Sequence, residues 1–283
     1  MSRVQIGVNV SGADPVGLAR SAEALGFDFV SAADHPAAAS SPYEVWTLLT
    51  WIAAATSRIK VASRVLGVPY RAPAMVAKMA ETLDRLSGGR LILGLGGGHS
   101  DDEFRAFGLG VPSPAEKVTG MEEAIRIMRG LWQQPRLTFT GQRYQVENAR
   151  LEPKPAHRIP IWLGTYGPRA LRVTGELADG WIPSLGFAPP DQVPAMRDRI
   201  RAAAVAAGRD PDEITLAYNV EVEVGAARRP GVVCGPPESV VEQLHNLGEL
   251  GFTAFNVMPA GPDVSEQLQL LARYVLPELQ RAA

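Results

Sequence analysis

Short β-branched runs alternate with longer amphipathic periods along the chain, and that alternation predicts a repeated strand–helix unit. The clearest instance lies between Arg58 and His99. Ile59 to Leu66 is apolar and β-branched enough for a buried parallel strand. Pro73 opens a helix in which Met75, Met79, Leu83 and Leu86 share one face. Ser87-Gly88-Gly89 ends the helix, and Leu91-Ile92-Leu93 begins a strand that dissolves into Gly94, Gly96, Gly97 and Gly98. Glycines at the carboxyl end of a buried strand let a flat or bulky group lie against bare backbone, or else make a tight turn.

The same rhythm runs from end to end. Strands are expected at Val4 to Val10, Phe27 to Ala33, Ile159 to Leu163, Gly180 to Pro183, Ile214 to Glu223 and Thr253 to Met258. Helices are expected from Asp14-Pro15 to Leu25, Pro42 to Ala55, Pro114 to Trp132, Pro168 to Leu177, Gln192 to Ala207, Val240 to Leu250 and Val264 to Leu279. In the Pro114 helix, Val118, Met121, Ile125, Met128 and Trp132 form one apolar stripe. About eight strand–helix units follow with no linker, so residues 1–283 are expected to form a single α/β domain, a (β/α)8 TIM barrel. A doubly wound open sheet fits less well. Gly94 and Gly96 match the first two positions of a Gly-x-Gly-x-x-Gly fingerprint, but His99 occupies the last, and the run follows the fourth strand rather than the first.

Two segments break the rhythm. Ser100 to Ser113 is expected as a loop, and Gln134 to Arg158 contains an alternating stretch around Gly141 that predicts a small hairpin. Insertions of this kind lie over one end of a barrel and shape access to it, and Ser100 to Ser113, Leu137 to Arg158 and Leu185 to Pro190 are expected to read the substrate.

Composition narrows the partners. Hydrophobic residues make up 46% of the chain against 20% charged, enough for a large core. A net charge of −2 gives no reason to expect nucleic acid or an anionic membrane. No uninterrupted apolar stretch approaches the length of a membrane span, and Met1-Ser2-Arg3 opens without a signal-peptide pattern. Cys234 is the only cysteine, which rules out an internal disulfide and suits a cytoplasmic protein. The four histidines lack metal-ligand spacing, so no metal is expected. With neither a Gly-x-Ser-x-Gly elbow nor a P-loop, the sequence also argues against serine hydrolases and kinases.

Catalytic groups of a barrel gather at the carboxyl ends of its strands. Those ends carry Asp34-His35, Ser63 to Gly67, His99, and Gly164-Thr165-Tyr166-Gly167-Pro168-Arg169. His35 beside a carboxylate suits proton transfer near neutral pH, or a structural role on backbone. The Gly164–Arg169 turn feeds a helix with proline at its first position, so it reads as a phosphate cradle with Arg169 as a nearby cation, or as an ordinary turn.

Several short pieces, in this order and spacing, resemble the luciferase-like monooxygenase superfamily, and within it the branch that uses the deazaflavin coenzyme F420. They are Ala33-Asp34-His35, Leu66-Gly67-Val68-Pro69-Tyr70-Arg71-Ala72-Pro73, Leu83 to Arg90, Gly94 to Gly98, Pro160 to Gly164 and Ala178-Asp179-Gly180-Trp181. The likeness covers nearly the whole chain. It implies a barrel with an isoalloxazine-type ring at its carboxyl face, a homodimer, and hydride transfer between F420 and a small organic substrate. FMN with dioxygen, or a flavin-binding paralogue without activity, are the alternatives. Carried over, Asp34 and the bulge Ser63-Arg64, often a cis peptide without proline, would contact the ring beside Gly96, Gly97, Gly98 and His99. Gly164, Thr165, Tyr166, Gly167, Pro168 and Arg169 would bind the cofactor's phosphate side, and His35 would be the catalytic acid or base. Two departures stand out. The deazaflavin sugar-phosphate dehydrogenases carry glutamate where His99 stands, which speaks against that substrate, and family members usually have an apolar residue behind the ring where Arg64 stands.

Overall fold

Each strand of this chain is delivered beside the previous one by the helix between them, the arrangement that right-handed parallel crossovers produce. The computed structural model describes residues 3–39 and 42–281. Its first half runs β1 (Gln5–Asn9), α1 (Pro15–Leu25), β2 (Phe29–Ala32), α2 (Val45–Ala55), β3 (Lys60–Ser63), β4 (Leu66–Gly67), α3 (Pro73–Ser87) and β5 (Leu91–Gly96). There follow α4 (Asp101–Ala106), α5 (Pro114–Gln133), the hairpin β6 (Leu137–Thr140) and β7 (Gln145–Ala149), β8 (Ile161–Leu163), α6 (Pro168–Leu177) and β9 (Gly180–Trp181). The chain closes with α7 (Val193–Ala206), β10 (Thr215–Val224), β11 (Val233–Gly235), α8 (Pro237–Gly248), β12 (Ala254–Pro259), α9 (Val264–Leu270) and α10 (Leu276–Arg281).

The strands pair in the order β10, β12, β1, β2, β3, β5, β8, β9, and β9 pairs back onto β10. That ring of eight parallel strands is the expected (β/α)8 barrel. β11 adds to one edge of β10, and β6–β7 stand apart as an antiparallel hairpin close to the expected position. The expectation of one domain over 1–283 also takes in Met1, Ser2, Ser40, Ser41, Ala282 and Ala283, which lie outside the described residues, as does the extreme N-terminus read for a signal peptide.

Local signals explain most boundaries. The Asp14 carboxylate caps α1 by accepting from the Gly17 amide, and Ser113 with Glu116 forms a capping box at α5. Three expectations need correction. The strand read as Ile59 to Leu66 is divided into β3 and β4, with the cis Arg64–Val65 peptide between them; that bond lies one residue beyond the Ser63-Arg64 position that the resemblance implies. Ser100 to Ser113 is not all loop, since Ser100 caps the short helix α4. The stripe read on α3 does not face the core as a whole. Val76, Ala77, Ala80 and Leu83 are buried, whereas Met75 and Leu86 are exposed, since small residues let α3 pack closely.

The barrel interior is filled near its base by Phe29, Ala62, Ile92, Trp162, Ile182, Ala217 and Ala254, a cluster separate from the larger core between strands and helices. Phe29 and Trp162 meet edge to face at 5.7 Å. Gly7 and Gly180 make room for them, since a Cβ there would lie 2.2 Å from the Phe29 ring and 2.4 Å from Trp162. Phe29 is 0% exposed, so Phe29→Ala is expected to cost about 3–5 kcal/mol of stability by chemical denaturation; a loss below about 1 kcal/mol would contradict the plugged interior.

Candidate active site

Side chains on a strand return to the same face every second residue. Two positions beyond the apolar layer, the barrel therefore presents Asn9, Ser31, Arg64, Gly94, Gly164, Ser184, Asn219 and Asn256 toward its carboxyl mouth. One side of this ring is polar and internally satisfied. The Ser31 hydroxyl donates to Asn256 Oδ1 at 2.8 Å, Asn256 Nδ2 donates to Asn219 Oδ1 at 2.8 Å, and Arg64 Nε donates to Asn9 Oδ1 at 3.0 Å. The other side is glycine. Val65 lies there, where a Cβ on Gly96 would come within 2.6 Å of its side chain and one on Gly164 within 3.3 Å. The glycines thus seat a valine instead of leaving a bare backbone ledge. The apolar residue expected at Arg64 is absent there: the neighbouring Val65 packs on the glycines, while Arg64 itself turns to β1.

Above Val65 is a cavity of about 310 Å³, at the lower end of the range for small-molecule sites. Asp34, His35, Arg64, Gly96, Gly97, Gly98, His99, Gly164 and Tyr166 all line it, so the structure brings these expected site residues together. Five others lie outside its walls: Ser63, Thr165, Gly167, Pro168 and Arg169. The Thr165 hydroxyl pairs with Thr174 at 2.7 Å, and Arg169 bonds to the Ala115 carbonyl and the Thr119 hydroxyl of α5. Ser63 is buried and donates to the Gly94 carbonyl at 2.8 Å, pinning β3 to β5 beneath the cavity.

Two carboxylates organise the rim. Asp34 accepts from the Gly67 amide at 2.9 Å and from both terminal nitrogens of Arg71 at 2.8 and 3.1 Å. The bidentate pair fixes the turn after β4 against the end of β2. Glu103, carried in by α4, accepts from Tyr70 Oη at 2.8 Å and the Ala37 amide at 3.3 Å, and its Oε2 lies 3.3 Å from His35 Nδ1. Burial alone would raise the Glu103 carboxyl, but the bonds from Tyr70, His35 and Ala37 outweigh it and hold the group below the usual carboxylate range. Burial and the neighbouring Glu103 carboxylate push the Tyr70 hydroxyl up. An ionised Glu103 can only accept, so it fixes the proton on His35 Nδ1 and leaves Nε2 as the free nitrogen of a ring that lines the cavity.

An aromatic run covers the mouth. His99 stands 6.4 Å from His35 and 5.7 Å from Phe187, which in turn lies 5.4 Å from Tyr166. Glu103, Tyr70, Arg71, Val65 and Phe187 are the site residues that the pattern reading missed. Ser100 and Glu103 have the Ser-x-x-Glu spacing of a helix start, a signal that would have placed α4. Away from the site, half-exposed His157 pairs with buried Asp84 at 3.2 Å.

Comparisons place this geometry among known proteins. The family model of luciferase-like monooxygenases matches residues 3–230. The chain is similar to an F420-dependent glucose-6-phosphate dehydrogenase of Intrasporangium calvum, 30% identical over 92% of this chain and 92% of that one. It is also similar to a 5,10-methylenetetrahydromethanopterin reductase of Archaeoglobus fulgidus, 30% identical over 81% of this chain and 68% of that one. Among solved structures, an F420-dependent secondary alcohol dehydrogenase in complex with an F420–acetone adduct superposes with a TM-score of 0.89 over 98% of this chain and 99% of that one, at 20% identity, a likeness of fold.

The depressed Glu103 carboxyl gives a signed pH dependence. Its stabilising contribution is present in full above the ordinary carboxylate range and is lost as pH falls through the folded-state value. Glu103→Gln should cost about 1–3 kcal/mol at pH 7, and wild type should lose melting temperature more steeply than the variant as pH drops below about 4. Parallel melting curves would contradict the assignment.

Proposed function

Because the chain belongs to the luciferase-like monooxygenase family, we propose that it is an F420-dependent oxidoreductase moving a hydride to or from a small organic substrate at the barrel mouth. The observation that carries this reading is the His35–Glu103 pair at the rim of a cavity walled by Val65, Gly96 and Gly98. The F420-dependent relatives that align with most of the chain support the cofactor.

The residues present fit such a group. Val65 offers an apolar seat for a flat ring, and Gly96, Gly97, Gly98 and Gly164 line the cavity around it. Asp34 borders the same space, its carboxylate already held by Gly67 and Arg71. The first turn of α6 has no side-chain cap, and a Cβ on Gly167 would meet nothing within 4 Å. The amides beyond Pro168 therefore suit the cofactor's phosphate. Thr165 and Arg169 support this turn from behind, through α6 and α5.

When bound, the deazaflavin supplies hydride transfer and no oxygen chemistry. The protein's part is orientation and a proton. His35 Nε2 takes or returns the proton of a substrate hydroxyl, while Glu103 holds the ring in one tautomer. His99 and Phe187 stand together at the mouth, where they would shield the reacting atoms of a bound substrate from water.

The same reading makes the protein a cytoplasmic homodimer. No helix among the described residues is long and apolar enough to cross a membrane. On α2, Trp46 is buried in the barrel wall but Trp51 is 68% exposed, and α3, packed against α2, exposes Met75 and Leu86. A second copy would cover them.

Separate titrations with F420 and FMN test the cofactor: F420 is expected to bind at micromolar affinity or tighter, and tight FMN binding without F420 binding would replace hydride transfer with monooxygenase chemistry. His35→Ala should lower kcat about 10²- to 10⁴-fold with the F420 Kd nearly unchanged, and undiminished turnover would remove the acid–base role. Light scattering should give a dimer that Trp51→Glu converts to monomer; a monomeric wild type would refute the assembly.

A further inference from the structure

Among the described residues, the other charged side chains that line the main cavity or brace its rim have partners. Arg71 is held by Asp34 and Glu44, Lys117 by Asp101 at 2.6 Å, and Arg169 by α5. Glu103 takes its bonds from His35, Tyr70 and Ala37. Arg64 is the exception. It is the charged member of the polar ring inside the barrel, and among the described residues no carboxylate lies within ion-pair distance of it. Among the described residues its one side-chain hydrogen bond runs from Nε to Asn9 Oδ1. Burial lowers its pKa from the ordinary value, yet a guanidinium keeps its charge at neutral pH.

The position of Arg64 gives this charge a use. Beside the main cavity lies a second, of about 220 Å³, whose walls include Asn9, Ser11, Tyr43 and Leu48. His35 and Arg64 line both, so they stand on the boundary between the two spaces. With Nε committed to Asn9, the two terminal nitrogens remain as a planar fork that matches the paired oxygens of a carboxylate or phosphate. Asn9 is itself fixed within the network reaching Ser31, Asn256 and Asn219, so the fork is held in advance of any ligand.

We propose that the side cavity is an oxyanion subsite, and that the substrate of this enzyme carries a carboxylate or phosphate which Arg64 grips next to His35. The inference rests on the reading of the main cavity as the cofactor site, because it assigns the ring to Val65 and the substrate to the Arg64 side. A half-buried cation without a protein counter-charge favours an anionic ligand over a neutral one of equal shape. The cofactor's own anionic tail has its seat at α6, on the opposite flank of the glycine wall.

Calorimetric titration with sodium benzoate, inorganic phosphate and benzamide, each against cofactor-free and F420-loaded protein, tests this. At least one of the two anions should bind wild type, and its Kd should rise tenfold or more in Arg64→Gln and recover in part in Arg64→Lys. Benzamide should bind far more weakly and respond to neither change. Which anion binds tells a carboxylate substrate from a phosphate ester. Equal binding of benzoate and benzamide with no phosphate binding, or anion affinities unchanged in Arg64→Gln, would overturn the proposal. A tenfold loss of F420 affinity in Arg64→Gln would overturn it too, by assigning Arg64 to the cofactor. Should Arg64→Gln fail to fold, an Arg64→Lys variant that binds the anion several-fold more weakly than wild type, yet still in preference to benzamide, supports the subsite, and one whose anion affinity equals that of wild type refutes it. Anion binding by cofactor-free protein that never takes up F420 would keep the subsite and sink the cofactor reading alone.

Discussion

The close approach of Val65 to the backbone of β5 and β8 is the contact on which the active face depends. Gly94, Gly96 and Gly164 exist as glycines in a geometry where a Cβ would strike Ser63, Val65 or both. Because two strands give up their inward side chains, one valine can lie flat across them and still leave a cavity of about 310 Å³ overhead. A larger residue at any of these glycines would lift Val65 and close the space. Ser63 secures the arrangement from below through its bond to the Gly94 carbonyl.

Around that apolar seat the polar groups divide the work by position. Asp34 and Arg71 tie the ends of β2 and β4 together, so the cavity wall is rigid where the strand is broken. Glu103 reaches across from α4 to hold His35, and in doing so converts a half-exposed imidazole into one with a defined free nitrogen. Asn9, Ser31, Asn219 and Asn256 satisfy one another in the barrel interior, where an unpaired amide would be costly. Arg64 stands between these two systems, bonded to Asn9 and facing both cavities.

How much of this the sequence disclosed follows from how local each signal is. The barrel was readable because strand and helix periods are local and the units repeat without interruption. Asp34, His35, His99 and the glycines of β5 were readable because barrels gather function at strand ends. Glu103 was not, since its partner His35 is remote in sequence and the contact depends on where α4 settles. The identity of the residue against the glycines was missed by one position. Arg64 and Val65 both line the cavity where β3 gives way to β4, and alternation along a strand cannot foresee two consecutive residues on one face. Met75 and Leu86 have helical spacing but end up exposed, because periodicity gives a face without saying what covers it.

The most direct test of the account is a crystal structure of the protein loaded with F420. The account predicts the deazaflavin ring lying on Val65 between Gly96 and Gly164, with the phosphate at the first turn of α6 and the side of the ring nearest His35 open toward Arg64. A ring bound elsewhere, or stacked on Arg64 with Val65 uncovered, would contradict it.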